Sequence, residues 1–205
     1  MSPLNHELLK RMLSAATRSI ESNIAHLNQL DSATGDGDHG TSIVKAIRAA
    51  SKSVEEAATG QSLKEILYNA GWAVMGEDCG STSSLIGAFF MGMSEAATSN
   101  ELDDTAAITL FASGLAGISK QTKAKVGDKT LMDALIPAVE AMQGTNDLKN
   151  ALDIAASAAA QGAESTKNLI AKFGRARNLG DRVIGHVDAG ATSIALIFDA
   201  FAKSL

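Results

Sequence analysis

The chain has 205 residues, 45% apolar, 20% charged and 4% aromatic, with 18 Gly, 2 Pro, a single Cys and a formal charge of −5. This length suits one domain over residues 1–205, with a core large enough to stand without a disulfide or a structural metal, and the single Cys79 excludes a disulfide framework. No run of 18 apolar residues is available to span a membrane, residues 1–13 carry His6, Glu7, Lys10 and Arg11 where a secretory h-region would be apolar, and mild acidity with few aromatics argues against nucleic acid. The expectation is a cytoplasmic globular chain.

Proline occurs only at Pro3 and Pro137, so most of the chain is free to be helical. Leu9, Leu13, Ala16, Ile20, Ile24 and Leu27 recur at three- and four-residue steps, the apolar stripe of one long amphipathic helix. Similar stripes follow over residues 43–54, 63–74, 85–97, 106–118, 131–142, 148–170 and 191–202. Strand signals are thin. Eight helices with short links predict an all-α fold, an antiparallel up-and-down bundle or closed helical barrel. Tyr68, Trp72 and the methionines sit on apolar stripes and are assigned to the core.

The links carry the chemistry. Residues 30–40, 76–84, 124–133 and 173–190 are dense in Asp, Ser, Thr and Gly, whereas 144–150 is a plain polar turn. The four rich links follow the first, third, fifth and seventh helices. In an up-and-down order they share one end, so they are expected to meet at one rim.

The sharpest segment is Asp31-Ser32-Ala33-Thr34-Gly35-Asp36-Gly37-Asp38-His39-Gly40. Gly35 and Gly37 permit a tight turn in which Asp31, Asp36 and Asp38 meet. Three close carboxylates repel unless protonated or neutralised by a cation, and hard oxygen ligands select Mg²⁺, Mn²⁺ or Ca²⁺. An EF-hand fails on spacing, because position twelve falls on Ile47 or Ser42 rather than on a Glu. The competing explanation is a polar turn whose Asp residues cap the next helix.

Gly80-Ser81-Thr82-Ser83-Ser84 opens a helix, where backbone N–H groups and hydroxyls hold anions, or else is an ordinary N-terminus with small-residue packing. Gly127-Asp128-Lys129-Thr130 ends like a P-loop but lacks the preceding Gly and strand, so Walker A is rejected and Asp128 is assigned as a helix cap. The segment 174–190 holds Arg175, Arg177 and Arg182 in an acidic chain, a cationic arm towards phosphate or a solvated loop of Arg–Asp pairs. His39 and His186 are each weak signals, with hydrogen bonding the better assignment for His186, and Cys79 receives no role.

Together these segments resemble the nucleotide-binding DhaL subunits of dihydroxyacetone kinases. The resemblance rests on the carboxylate loop, Gly80-Ser81-Thr82 with Gly87-Ala88-Phe89-Phe90, Gly127-Asp128-Lys129-Thr130, and Gly174-Arg175-Ala176 through Ile184-Gly185-His186 to Asp188-Ala189-Gly190-Ala191-Thr192-Ser193, in family order over nearly the whole chain. It implies an eight-helix antiparallel barrel with the nucleotide at one rim. Asp31, Asp36 and Asp38 match three ligands for two Mg²⁺ ions that bridge the phosphates of ADP or ATP. His39, Gly40, Thr41 and Ser42 match the next nucleotide-contacting stretch, and Ser81 with Thr82 the phosphate-contacting helix start. Leu131 stands where the family usually has a Met beside the base, and Thr122 where it has a Gly. Arg175, Asp188, Ala189 and Gly190 match further nucleotide contacts. The sequence departs from the family at Ser83-Ser84, usually Gly-Pro, and at Asp188-Ala189-Gly190, usually Asp-Pro-Gly.

Three carboxylates contribute −3 and ADP about −3, so two Mg²⁺ bring the site from about −6 to about −2, leaving work for Arg175 or Lys129. No general base for a sugar hydroxyl is evident. The resemblance implies a sugar-binding partner subunit that holds the ketose through its own His, with this chain as the phosphoryl-carrying half of a phosphotransferase. Bound ADP recharged by a phosphotransferase-system protein, exchange with free ATP, and a homodimer all stay open. The alternatives are an ATP-dependent kinase subunit for a related ketose such as erythrulose, and a non-catalytic Mg-nucleotide sensor.

Overall fold

The computed structural model describes residues 3–205, so Met1, assigned with the other methionines to the core, lies outside the described residues. Nine α-helices are found among the described residues: α1 (His6–Ser22), α2 (Ile24–Ser32), α3 (His39–Glu55), α4 (Leu63–Met75), α5 (Ser81–Ala96), α6 (Asp104–Ser119), α7 (Met132–Met142), α8 (Leu148–Ser165) and α9 (Ala189–Lys203). Two 3₁₀ segments, Thr166–Asn168 and Arg175–Val183, lie between α8 and α9. The described chain is otherwise loops and one isolated bridge, Leu4 to Leu102. No described helix is long and apolar enough to cross a membrane.

Most helix starts have a local cause. Asn5, Asp103, Asp147 and Asp188 each accept a hydrogen bond from a first-turn amide, and Ser62 with Glu65 forms a reciprocal capping box. The first of the eight expected rods is broken. Asn23 donates its side-chain amide to Ser19 O at 2.8 Å while its backbone N–H reaches Ile20 O, which closes α1 and restarts the chain as α2 on the same apolar stripe. The stripe over 148–170 also ends early, at Ser165, where Thr166 donates its hydroxyl to Ala163 O and the chain tightens into a 3₁₀ turn.

α1 packs on α3 and α9, and from α3 onward each helix packs on its successor, the last pair being α8 and α9. The apolar faces point inward together. Phe111 on α6 is fully buried, with the rings of Phe89, Phe198 and Phe201 centred 5.9–6.5 Å away. Met12, Met93, Met132 and Met142 are core residues as expected.

Tyr68 and Trp72 are a correction. They are 44% and 54% exposed and stack edge-to-face on the outer side of α4, 6.4 Å between ring centres. α4 buries Leu63, Ile66, Leu67, Ala70 and Val74 instead, a face already wide enough to fill its share of the core.

Because successive helices reverse direction, the end of α2 and the start of α3 share one end of the bundle with the starts of α5 and α9. The opposite end gathers the start of α1 and the ends of α3 and α9, where the His6 ring bonds Val54 O at 2.6 Å.

Candidate functional site

Asp31 lies in the last turn of α2 and organises the carboxylate loop. Its Oδ2 accepts the amides of Gly37 at 2.8 Å and Asp38 at 3.0 Å, and its carbonyl accepts that of Thr34 at 3.0 Å. These bonds fold the chain back, with Gly37 at φ +79°, so that one carboxylate oxygen from each of Asp31, Asp36 and Asp38 lies within 4.8 Å of the others. Asp38 supplies no side-chain cap to α3, so the capped-turn explanation does not account for it.

Gly40 lets α2 and α3 approach closely: a Cβ there would strike Ile24 O and Asn28 Oδ1. Asn28 uses the gap, donating to Thr41 Oγ1 and accepting the Thr41 amide, both at 3.2 Å. Sequence reasoning overlooked Asn28, whose signal is only positional, one turn before Asp31.

Three oxygens of this kind, hard and partly exposed, suit Mg²⁺ with positions left open. In the chain alone, Arg175 pairs with Asp36. The 173–190 segment therefore reaches the carboxylate loop through an Arg–Asp pair, the alternative given for it, and not through a contact to phosphate. His39 reaches α9: its Nε2 lies 3.1 Å from Ser193 Oγ, which spends its own proton on Gly190 O at 2.8 Å. With its proton on Gly190 O, Ser193 Oγ is left to accept, an arrangement that suits the Nε2–H tautomer of His39. Burial pushes the imidazole below its ordinary pKa, against the opposing pull of Asp31 and Asp38.

α5 begins at Ser81 after Gly80, and no side chain caps its first amides, which leaves them for an anion. Ser81 is exposed and Thr82 half-buried there, while Ser83 turns away to donate to Gly80 O at 3.0 Å. Cys79 beneath them is buried, which raises its thiol pKa, and it lies within electrostatic reach of Lys45 and Asp38, beside the carboxylate loop.

The link 124–133 differs from expectation. Asp128 does not cap α7; it is buried, accepts the Lys125 amide at 2.9 Å and pairs with Lys172 at 2.7 Å, which holds its carboxyl below the ordinary range. Asp133, missed by sequence reasoning, turns this loop by accepting the amides of Gly127 and Thr130, each at 2.7 Å. Lys129 is buried and bonded to Thr166 O at 2.6 Å and to His186 O, so it is not a free cation for phosphate. Leu131 is half-buried against Gly190, and Thr122 accepts the Ala124 amide at 3.1 Å on the same link.

Asp188 caps α9 through the Ala191 amide at 2.7 Å. Desolvation raises its pKa to about 6, with Asp133 adding to the rise and the Ala191 bond and Lys129 opposing it. A carboxyl raised in the folded state loses stability as pH climbs from about 4 to about 6 and carries the full penalty above that. Asp188→Asn keeps a capping acceptor without the charge, and is expected to raise the melting temperature at pH 7.5 but not at pH 4.5 in parallel thermal melts.

Ala189 is buried at the head of α9, Thr41 is exposed and Ser42 half-buried on the first turn of α3. The ring of His186 is exposed and makes no bond found among the described residues; its carbonyl accepts from Lys129 and its amide donates to Val183 O at 3.3 Å.

Residues 33–203 match the family described as the DAK2 domain. The chain is 34% identical over 194 residues to the PEP-dependent dihydroxyacetone kinase 1 ADP-binding subunit DhaL of Listeria innocua, covering 95% of this chain and 94% of that one. It is 32% identical over 202 residues to the L-erythrulose kinase of Pectobacterium atrosepticum, where it spans 34% of that protein's length. The solved dihydroxyacetone kinase of C. freundii in complex with AMP-PNP and Mg²⁺ superposes on the whole chain with a TM-score of 0.74 at 26% identity, this chain covering 35% of it. With a family match over most of its length and a full-length relative at this identity, the chain belongs to the DAK2-domain family, among the DhaL subunits of dihydroxyacetone kinases.

Proposed function

We propose that this chain is the nucleotide-binding, phosphoryl-carrying subunit of a dihydroxyacetone kinase, holding ADP or ATP through two Mg²⁺ ions and passing the phosphoryl group to a ketose bound on a partner subunit. The observation that carries this reading is the meeting of Asp31, Asp36 and Asp38 within 4.8 Å, beside an α5 start whose first amides have no side-chain cap. The full-length likeness to DhaL subunits and the C. freundii kinase complex with AMP-PNP and Mg²⁺ support it. The relatives matched over most of their own length are dihydroxyacetone kinase subunits, which makes dihydroxyacetone the better-supported ketose.

Asp31, Asp36 and Asp38 would hold the ions. When bound, the ions neutralise phosphate oxygens and stabilise the transferring phosphoryl group. Ser81, Thr82 and the α5 amides would position the phosphates, with Thr41 and Ser42 of α3 alongside. Leu131, Thr122 and the 188–190 turn would flank the base. Arg175, already at Asp36, is placed to follow the charge of the phosphates. His39, held by Ser193, would keep the α3 start against α9. Recharging of bound ADP by a phosphotransferase-system protein and location in the cytoplasm belong to the same reading.

The test is reconstitution. The chain mixed with a sugar-binding dihydroxyacetone kinase subunit, Mg²⁺, ATP and dihydroxyacetone should yield dihydroxyacetone phosphate, read by a coupled dehydrogenase assay, and neither subunit alone should do so. If nucleotide binds and no sugar phosphate forms with dihydroxyacetone or erythrulose, whether the donor is ATP or a phosphotransferase-system protein, the chain is a nucleotide sensor. ADP retained after gentle purification, seen by native mass spectrometry, would mark the coenzyme version over exchange with free ATP.

A further inference from the structure

Lys129 is the one non-glycine residue among those described with a positive φ, +58°. It is 3% exposed, so its ammonium has lost most of its water. Both features are costly, and a strained, buried cation beside a ligand site needs a structural reason. Its bonds supply one. Nζ donates to Thr166 O at 2.6 Å, where α8 has just ended, and to His186 O, just before α9 begins. One ammonium therefore joins the two ends of the 166–188 crossing. Other bonds close the same loop: the Gly185 amide to Lys167 O and the Asp188 amide to Thr166 Oγ1, both at 2.8 Å. The 124–133 link also moors the front of the crossing, since Lys172 gives its amide to Asp128 O at 3.1 Å and its ammonium to the Asp128 carboxylate. Between these ties, residues 174–182 are mostly exposed and carry Arg175 to Asp36.

We infer that Lys129 is a positioning residue that clasps the 166–188 crossing at its base, and so sets where Arg175 and the 188–190 turn stand relative to the carboxylate loop. This rests on the nucleotide-site reading for its functional consequence, but not for the clasp itself. The carbonyls of Thr166 and His186 take two of the three ammonium donors, and at 3% exposure the group is turned inward to them rather than out to phosphate. The facing charges are Asp188 and Asp133, whose attraction partly offsets the burial that lowers its pKa. Removing the ammonium would take from His186 O the one donor found for it among the described residues and leave Thr166 O with the Leu169 amide alone, at 3.1 Å.

Lys129→Met keeps most of the stem and removes the donors. Trypsin should cut the variant at Arg175, Arg177 or Arg182 at least ~tenfold faster than the parent, because cleavage follows the population of the opened loop. Its affinity for ADP with Mg²⁺ should fall about tenfold in calorimetry, the loss expected for a misplaced charged contact. Cleavage and affinity both within twofold of the parent would overturn the proposal. Faster cleavage with a parent that binds no Mg²⁺-ADP would leave the clasp standing and sink the nucleotide reading. If the Met variant does not fold, amine labelling of the native chain decides: Lys129 should acetylate at least ~tenfold more slowly than exposed lysines such as Lys64 and Lys123, and labelling at their rate would overturn the clasp.

Discussion

Asp36→Asn is expected to weaken magnesium-dependent ADP binding by at least ~100-fold while leaving the fold intact. Removing an outer-sphere partner of a metal ligand commonly costs 10- to 100-fold, so removing a ligand's charge sets that range as a floor. Asp36 is the cleanest of the three for this purpose. The turn is held by Asp31, through the Gly37 and Asp38 amides, whereas Asp36 is exposed and its carboxylate pairs with Arg175. An exposed pair of this type is worth about 0–1 kcal/mol, and its loss is offset by relief of repulsion within the trio. The melting temperature should therefore move little. Titration calorimetry with ADP, in magnesium and again in EDTA, checks the claim. Affinity within threefold of the parent in magnesium would remove the carboxylates from the nucleotide site. Asp31→Asn would be harder to interpret, because it disturbs both the ligand and the turn.

Phe111→Ala is expected to cost ~4 kcal/mol of stability, about 10 °C in melting temperature for a chain of this size. Phe111 is fully enclosed, and its ring meets Phe89 of α5 and Phe198 and Phe201 of α9. Truncation loses the transfer energy of the ring and leaves a void that three helices would have to close together. The nucleotide should still bind with unchanged affinity at temperatures where the variant is folded, because the carboxylate loop is held by bonds of its own. Chemical denaturation gives the stability change, and a loss below 1 kcal/mol would show that the aromatic cluster is not the centre of the core.

The helices were largely legible because each carries its own apolar period and most begin at a capping Asn, Asp or Ser. The carboxylate loop was legible for the same local reason: three Asp with two Gly in eight residues leave few other shapes. Non-local causes escaped. Lys129 resembles a phosphate lysine in its four-residue context, and only the carbonyls 37 and 57 residues downstream make it a clasp. Asp128 and Asp133 look interchangeable beside α7, yet Lys172 claims one and the Gly127 and Thr130 amides the other. Tyr68 and Trp72 are apolar at helical spacing, but α4 has more apolar residues than its inner face can hold. The break at Asn23 turns on one side-chain amide competing with the helix backbone.

The first turn of α1 and the last turn of α9 sit side by side at the end of the bundle away from the acidic trio, Glu7 and Lys203 lining one shared groove there with Glu55 of α3. A tether added at either extremity would emerge on the blind side and leave the working face unobstructed. One architecture can thus serve both as a separate subunit, as in the Listeria relative, and as a part of a polypeptide nearly three times as long.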